Sequence, residues 1–296
     1  MQKTVLLTGA TGFLGSYLLE ALLLKGYKLV ILKRTTSKVW RIEHLMSQVI
    51  CYDVDIQPIE LAFTDQRIDY VMHTACHYGR NDHCLSQIVE TNLMFSLRIL
   101  DACIKFNTDT FFNTDTFFNT DTLLSKHLNA YSLSKKQFVE WLRQCSDKIQ
   151  VVNLKLEHMY GPKDDVSKFV PWVISQLKKN VSEIKLTSGN QLRDFIFIDD
   201  VVYAYLCTLE NIKSLGSFSQ FDVGTGKSIS VKHFVKKVKQ RFEIVFGLNK
   251  TILLFGAIPK RPGELMKVKV NNTALLDLGW KPKYSIERGI EKIIIN

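Results

Sequence analysis

Near the start of the chain, Thr8-Gly9-Ala10-Thr11-Gly12-Phe13-Leu14-Gly15 directly follows the apolar run Val5-Leu6-Leu7. It opens a stretch, Tyr17–Leu24, whose apolar residues recur at helical spacing. A strand, a glycine-rich turn and a helix in that order leave few folds open. Glycines at 9, 12 and 15 let the backbone turn tightly and come close to a bound anion. The helix start then offers free N–H groups and the positive end of its dipole to that anion. The plain alternative is a tight turn with no ligand, but the strand–turn–helix context is the one a dinucleotide-binding turn requires. Thr8, Gly9, Thr11, Gly12, Phe13, Leu14 and Gly15 are therefore expected to cradle a pyrophosphate.

The rest of the chain fits an α/β protein. Leu29–Leu32, Asp69–Thr74 and Val151–Leu156 read as short apolar strands, and Ile88–Lys105 as a long helix with Leu93, Leu97, Leu100 and Ile104 on one stripe. Continuous apolar strands alternating with amphipathic helices predict a doubly wound, Rossmann-type parallel sheet covered on both faces. Beyond about residue 156 the pattern shortens, with Tyr160-Gly161-Pro162 and Arg261-Pro262-Gly263 as breakers. The expected division is a dinucleotide-binding domain over 1–155 and a smaller, mixed substrate-binding lobe over 156–296, some of whose segments return to the sheet. Asn-Thr-Asp-Thr occurs at 107–110, 113–116 and 119–122, joined by Phe-Phe. One copy is expected to end a strand, with Phe117 and Phe118 buried in it, and the others to lengthen the neighbouring loop.

Several classes of protein are disfavoured. No apolar run approaches the roughly 18–20 residues that span a bilayer, and the N-terminal run is too short for a signal peptide, so a cytoplasmic protein is expected. The six cysteines form no CxxC pair and no His/Cys cluster has zinc-like spacing, which argues for reduced thiols and no metal. The net charge of +10 fits either a nucleic-acid binder or an enzyme for polyanionic phosphates. The densest basic stretch, Val231–Phe242, carries Val231, Phe234, Val235, Val238 and Phe242 at helical spacing, so its lysines read as a solvated helix face. A nucleic-acid role would need those lysines clustered on one surface, which the sequence does not show, so no nucleic-acid partner is expected.

Two further groups carry chemistry. The second strand ends in Lys33-Arg34, where an NAD-binding chain usually places an acid for the ribose hydroxyls. Two cations suit a 2′-phosphate and point to NADP(H), the alternative being a solvated basic loop. In Tyr131-Ser132-Leu133-Ser134-Lys135 the tyrosine and lysine fall on one helix face. An ammonium beside a phenol favours the phenolate, so Lys135 is expected to lower the Tyr131 pKa from about 10. Such a tyrosine can pass a proton to a carbonyl oxygen as hydride reaches the carbon.

With these residues in place, the chain resembles the extended short-chain dehydrogenase/reductases, the NAD(P)-dependent epimerase/dehydratase family that acts on nucleotide sugars. The likeness runs over nearly the whole chain. Asp53-Val54-Asp55 resembles the family's acidic adenine-contact turn and His73-Thr74-Ala75-Cys76 its HxAA segment; Asn92 matches its helix asparagine. Lys155–Pro162, Arg193–Val201, Phe221–Gly226, Arg261–Glu264 and Leu278–Pro282 follow in the family's order. The resemblance implies Tyr131 as acid/base and Lys135 as the residue that holds the nicotinamide ribose. It adds Asp53, Val54, Thr74, Ala75 and Asn92 to the cofactor contacts. It implies a strand-end hydroxyl for the substrate oxygen, assigned to Thr120, with Thr114 as the alternative. It also implies a homodimer formed through two helices.

Departures from the family sharpen the reading. Its 4,6-dehydratases carry Thr-Asp-Glu where this chain has Thr120-Asp121-Thr122, so water elimination is disfavoured; Asp121 either assists at the substrate or caps a turn. Lys155 and His158 stand where the family has arginine and asparagine. His158 is a candidate for the substrate phosphates, the alternative being a buried, hydrogen-bonded histidine. Arg193 and Arg261 are candidates for the nucleotide, since guanidinium suits phosphate. At closer range Phe118–Thr122, Asn129–Phe138, Lys33–Ser37 and Trp40-Arg41-Ile42 resemble the bacterial CDP-abequose synthases. Those enzymes use NADPH to reduce the 4-keto group of CDP-4-keto-3,6-dideoxy-D-glucose, for the O-antigen of lipopolysaccharide. A nucleotide-sugar epimerase, a 4-ketoreductase of opposite (paratose-type) stereochemistry and a non-catalytic NADP-binding redox sensor are the alternatives. An intact Tyr131/Lys135 pair counts against the last.

Overall fold

The structure, a computed structural model, describes residues 2–79, 84–107, 115–260 and 263–295. The strands are β1 Thr4–Thr8, β2 Lys28–Lys33, β3 Ile50–Asp53, β4 Tyr70–His73, β5 Thr116–Thr122, β6 Gln150–Leu156, β7 His158–Tyr160, β8 Glu183–Leu186, β9 Leu192–Arg193, β10 Phe195–Phe197, β11 Phe218–Val223, β12 Ile229–Ser230 and β13 Ile252–Phe255. The helices are α1 Phe13–Leu24, α2 Glu60–Asp65, α3 Leu85–Val89, α4 Phe95–Asn107, α5 Ala130–Gln144, α6 Phe169–Lys178, α7 Ile198–Glu210, α8 Val231–Phe246, α9 Thr273–Asp277 and α10 Ile286–Ile295.

The chain divides into two compact units, one of residues 1–155 with 205–221, the other of 156–204 with 222–296. In the first, seven strands form one sheet in the order β11-β6-β5-β4-β1-β2-β3. The pairings of β1 with β2 and β4, of β2 with β3, and of β4 with β5 are all parallel. The buried run Val5-Leu6-Leu7 and the run Leu29–Leu32 lack polar alternation because both faces of the sheet are covered. Phe117 and Phe118 of β5 are fully buried, and the third Asn-Thr-Asp-Thr copy forms the end of that strand. Most of the other two copies, Thr114 included, lies outside the described residues.

The strand order reverses between β1 and β4, and ligands of doubly wound sheets bind outside the carboxyl ends of the strands at such a point. The carboxyl ends there are Thr8, Lys33, Asp53, His73 and Thr122. Chain order and topology thus gather the candidate cofactor residues on one edge of the sheet.

The helix expected over Ile88–Lys105 differs in one respect. It is interrupted by a π-helical turn, Glu90–Met94, between α3 and α4. Asn92, fully buried, sits in this turn, and its carbonyl accepts a hydrogen bond from Ser96 Oγ at 2.9 Å. Such turns tend to occur where a helix must aim a polar side chain.

The second unit is built from two-stranded pieces, β10-β7, β12-β9 and β13-β8, with helices against them. Its core centres on Tyr160, with Phe195, Phe197 and Phe234 around it at ring distances of 5.6–6.4 Å. Gly289 of α10 is needed there, because a Cβ would lie 2.3 Å from the Tyr160 hydroxyl. Phe234, Val235, Val238 and Phe242 of α8 are buried, which leaves its lysines on the outer side. Among the described residues no helix is long and apolar enough to cross a membrane, and none of the six cysteines is in a disulfide.

Candidate active site

The glycine turn is built to approach another backbone closely. Gly9 has φ +70, and a Cβ on it would lie 2.7 Å from the Ala75 nitrogen; one on Gly15 would lie 2.1 Å from the Gly9 carbonyl oxygen. Gly12 is the N-cap of α1 and makes no side-chain cap hydrogen bond, so the start of that helix presents its backbone and the positive end of its dipole to an anion. Thr8 is buried at the end of β1. Its hydroxyl bonds His73 Nδ1 at 2.8 Å and accepts from the Ala75 N–H at 3.3 Å, while the Thr74 hydroxyl donates to the Thr8 carbonyl at 2.8 Å. These bonds lock β4 and its following residues against the turn. The other nitrogen of His73 bonds Ser96 Oγ at 2.8 Å. Burial pushes His73 well below the ordinary histidine value, and nearby Lys135 adds to the shift, so the imidazole is neutral.

At the ends of β2 and β3, Lys33 and Arg34 have different surroundings. Lys33 Nζ is paired with Asp53 Oδ2 at 3.3 Å, and the Thr35 hydroxyl donates to the same oxygen at 2.9 Å. The Val54 N–H is bonded to the Lys33 carbonyl at 2.9 Å. Arg34 is exposed, and its guanidinium makes no hydrogen bond or ion pair with any described residue. Of the two cations, Arg34 is therefore the one free to meet a phosphate.

Tyr131 and Lys135 lie on the first turns of α5. Asn129 caps this helix: its Oδ1 accepts from the Ser132 N–H at 2.9 Å, and the Asn129 N–H donates to Ser132 Oγ at 3.3 Å. This capping box fixes where the helix starts, and with it the place of Tyr131. Lys135 is buried and its ammonium has no hydrogen bond or ion pair among the described residues. A buried cation without a partner is costly, so this one marks a place for an acceptor such as a ribose hydroxyl. The helix start, the glycine cradle and this ammonium all fit a nicotinamide dinucleotide.

One expectation is reversed. Tyr131 does not have a lowered pKa. Burial pushes its hydroxyl well above the ordinary phenol value, and nearby Cys76, Asp121 and Tyr205 push the same way. Burial likewise pulls Lys135 down, opposed by Cys76 and Asp121. Desolvation disfavours both charged forms and is the largest cause of each shift.

Thr120 sits near the end of β5, with its Oγ1 2.6 Å from the hydroxyl of the buried Tyr205. Asp121 is buried and paired through Oδ2 with Lys136 Nζ at 2.7 Å, while Asn153 Nδ2 donates to the same oxygen at 3.3 Å. Its Oδ1 has no hydrogen-bond partner among the described residues. Lys136 also donates to the Thr122 carbonyl. Asn92 accepts from the His77 N–H at 2.6 Å and donates to the His77 carbonyl and to Ser134 Oγ, both at 2.9 Å, so it braces that segment against α5. The Tyr78 ring lies 5.0 Å from that of Tyr131. Sequence reading missed Tyr78, Lys136 and Tyr205. Adjacency to Lys135 was a visible signal for Lys136; the other two had none.

His158 and Arg193 belong to the second unit. His158 is not buried: its side chain is 41% exposed, with Nδ1 held 2.5 Å from Oε2 of the buried Glu157. Of the alternative, a buried and hydrogen-bonded histidine, the burial is therefore wrong and the hydrogen bond, to Glu157, is present. Arg193 is buried, donating to the Leu192 carbonyl at 2.8 Å and pairing with Glu264 at 3.5 Å. Arg261 lies outside the described residues.

Residues 5–224 match the model of the NAD dependent epimerase/dehydratase family. The chain belongs to that family. It is 36% identical to the CDP-abequose synthase of Salmonella typhimurium over 301 aligned positions, covering 99% of this chain and 98% of that one. It is 33% identical to the CDP-abequose synthase of Salmonella muenchen, with the same coverage. Among solved structures, the UDP-glucose 4-epimerase of Thermotoga maritima superimposes with a TM-score of 0.83 at 22% identity, covering 99% of this chain and 97% of that one. That likeness is one of fold.

Proposed function

We propose that this chain is an NADPH-dependent 4-ketoreductase that converts CDP-4-keto-3,6-dideoxy-D-glucose to CDP-abequose for O-antigen synthesis. The observation that carries the reading is identity of 36% and 33%, across 99% of the chain, to two CDP-abequose synthases. Thr122 in place of a glutamate after Asp121 supports reduction over dehydration. The free Arg34 guanidinium supports NADPH over NADH. The reading assigns the reaction to the cytoplasm and carries with it a homodimer.

When bound, NADPH supplies the hydride that adds to the sugar C4. The α1 start and Gly9, Gly12 and Gly15 hold its pyrophosphate, and Lys135 holds the nicotinamide ribose. Thr120 donates a hydrogen bond to the C4 carbonyl oxygen and so favours the negative charge that develops there. Tyr131, kept protonated by its burial, delivers its proton to that oxygen. The raised pKa keeps the tyrosine in the protonated form that this direction of reaction requires. His158, steadied by Glu157, and Arg193 are assigned to the nucleotide's phosphates and ribose.

The test is the loss of NADPH absorbance when purified protein meets 4-keto-6-deoxy and 4-keto-3,6-dideoxy sugars carried on CDP, dTDP and GDP. Oxidation with the CDP-dideoxy sugar, abolished in Tyr131→Phe, is the expected result, and NMR of the product then gives the configuration at C4. An epimerase would interconvert sugars with no net loss of NADPH. No oxidation with any sugar defeats the proposal.

A further inference from the structure

Tyr205 is fully buried in α7, and the only hydrogen bond its phenol makes among the described residues is the 2.6 Å contact with Thr120 Oγ1. The two residues are far apart in the chain and meet only because α7 lies against the end of β5. Burial raises the Tyr205 pKa, so the phenol keeps its proton.

Cost decides which of the two hydroxyls donates. A buried phenol that did not donate would leave a polar hydrogen unsatisfied, at roughly 1–3 kcal/mol. Thr120 is only half-buried, so its own proton can find another partner. A phenol is also the stronger acid of the two, and hence the better donor. Tyr205 therefore donates to Thr120 Oγ1, and the Thr120 proton is left over for a third atom. Asp121, the next residue in the strand, is bonded through Oδ2 to Lys136 and Asn153, and no hydrogen bond joins it to the Thr120 hydroxyl among the described residues.

We infer that Tyr205 is a positioning residue: it fixes the rotor of the Thr120 hydroxyl so that the threonine proton is presented to the ketone oxygen being reduced. The inference rests on the reading of Thr120 as the hydroxyl that meets the substrate carbonyl. A hydroxyl that accepts one bond while donating another is also the stronger donor, because hydrogen bonds in a chain polarise each other. An unbraced Thr120 would instead sample several rotamers, some aimed away from the substrate.

Tyr205→Phe keeps the ring and removes one oxygen. Its kcat in the NADPH assay is expected to fall roughly tenfold, a fraction of the 10²–10³ that follows loss of an oxyanion donor itself. KM for the sugar, NADPH affinity by fluorescence and Tm are expected to hold. Thr120→Val should show the full 10²–10³ loss, and the double variant should be no slower than Thr120→Val alone. A residue with a merely structural role would lower Tm and add its loss to that of Thr120→Val. Should Tyr205→Phe fail to fold, 3-fluorotyrosine installed at position 205, a stronger donor of nearly the same shape, is expected to raise kcat. An unchanged kcat in the variant that folds, or additive losses in the double variant, overturns the inference and leaves the reductase reading standing. A wild-type protein inactive on every sugar removes both.

Discussion

Tyr131 and Lys135 show how burial and chemistry meet at single residues. The pair was legible in the sequence from its spacing, but the direction of the tyrosine's pKa was not, because it depends on how much water the fold removes. The direction has a testable sign. The working form in reduction is the protonated tyrosine, and its pKa is raised. The pH profile of kcat/KM should therefore show no loss from this group through neutrality, and its alkaline limb should lie above the ordinary value of about 10. Tyr131→Phe should lower kcat by roughly 10²–10⁴; an alkaline limb near neutrality would refute the assignment. Arg34 bears on the cofactor. Since Lys33 is already paired with Asp53, Arg34→Ala should raise KM for NADPH roughly tenfold and leave that for NADH almost unchanged, as loss of one charged phosphate contact would. Equal effects on both would point away from a 2′-phosphate contact.

At the level of elements, β5 and α5 are held together by a polar group inside the sheet domain. Asp121 on β5 is 1% exposed in its side chain and paired with Lys136 of α5, itself 22% exposed. Lys136→Met would leave a carboxylate buried without its cation, and a loss of about 3 kcal/mol in urea unfolding is expected. In the other unit, α8 and α10 are joined by Lys237 and Glu287 at 2.5 Å. The hydrogen bond from Lys237, helped by a backbone N–H, holds Glu287 at about 2, below its ordinary 4.5. A depressed carboxylate stabilises the fold above its unfolded value. That contribution should be complete above pH 4.5 and drain away as pH falls toward about 2. Glu287→Gln should flatten the acid side of the Tm–pH curve; an unchanged curve would show the pair to be inert. Periodicity located these helices well, because an apolar stripe is a local property. It could not foresee the π-helical turn at Asn92, whose side chain is bonded to His77 and Ser134.

For the whole molecule, the charge of +10 bears on partners. A cofactor and a substrate that are both polyanionic should be drawn to a cationic protein. KM for the CDP-sugar and for NADPH should rise several-fold from low to about 0.5 M salt while kcat changes little, as screening of exposed charge requires. Salt-independent KM values would assign the charge to solubility alone. The family and the parallel sheet were determined by the sequence itself. The glycine turn, the apolar strands and the Tyr131/Lys135 spacing are all set by residues close together in the chain, where sterics and periodicity act. Only the tertiary structure decided that Tyr205 meets Thr120, that Lys136 takes Asp121, and that Tyr131 is raised. Each of these depends on which distant segments are brought into contact and how much water they exclude, and no local pattern of residues encodes either.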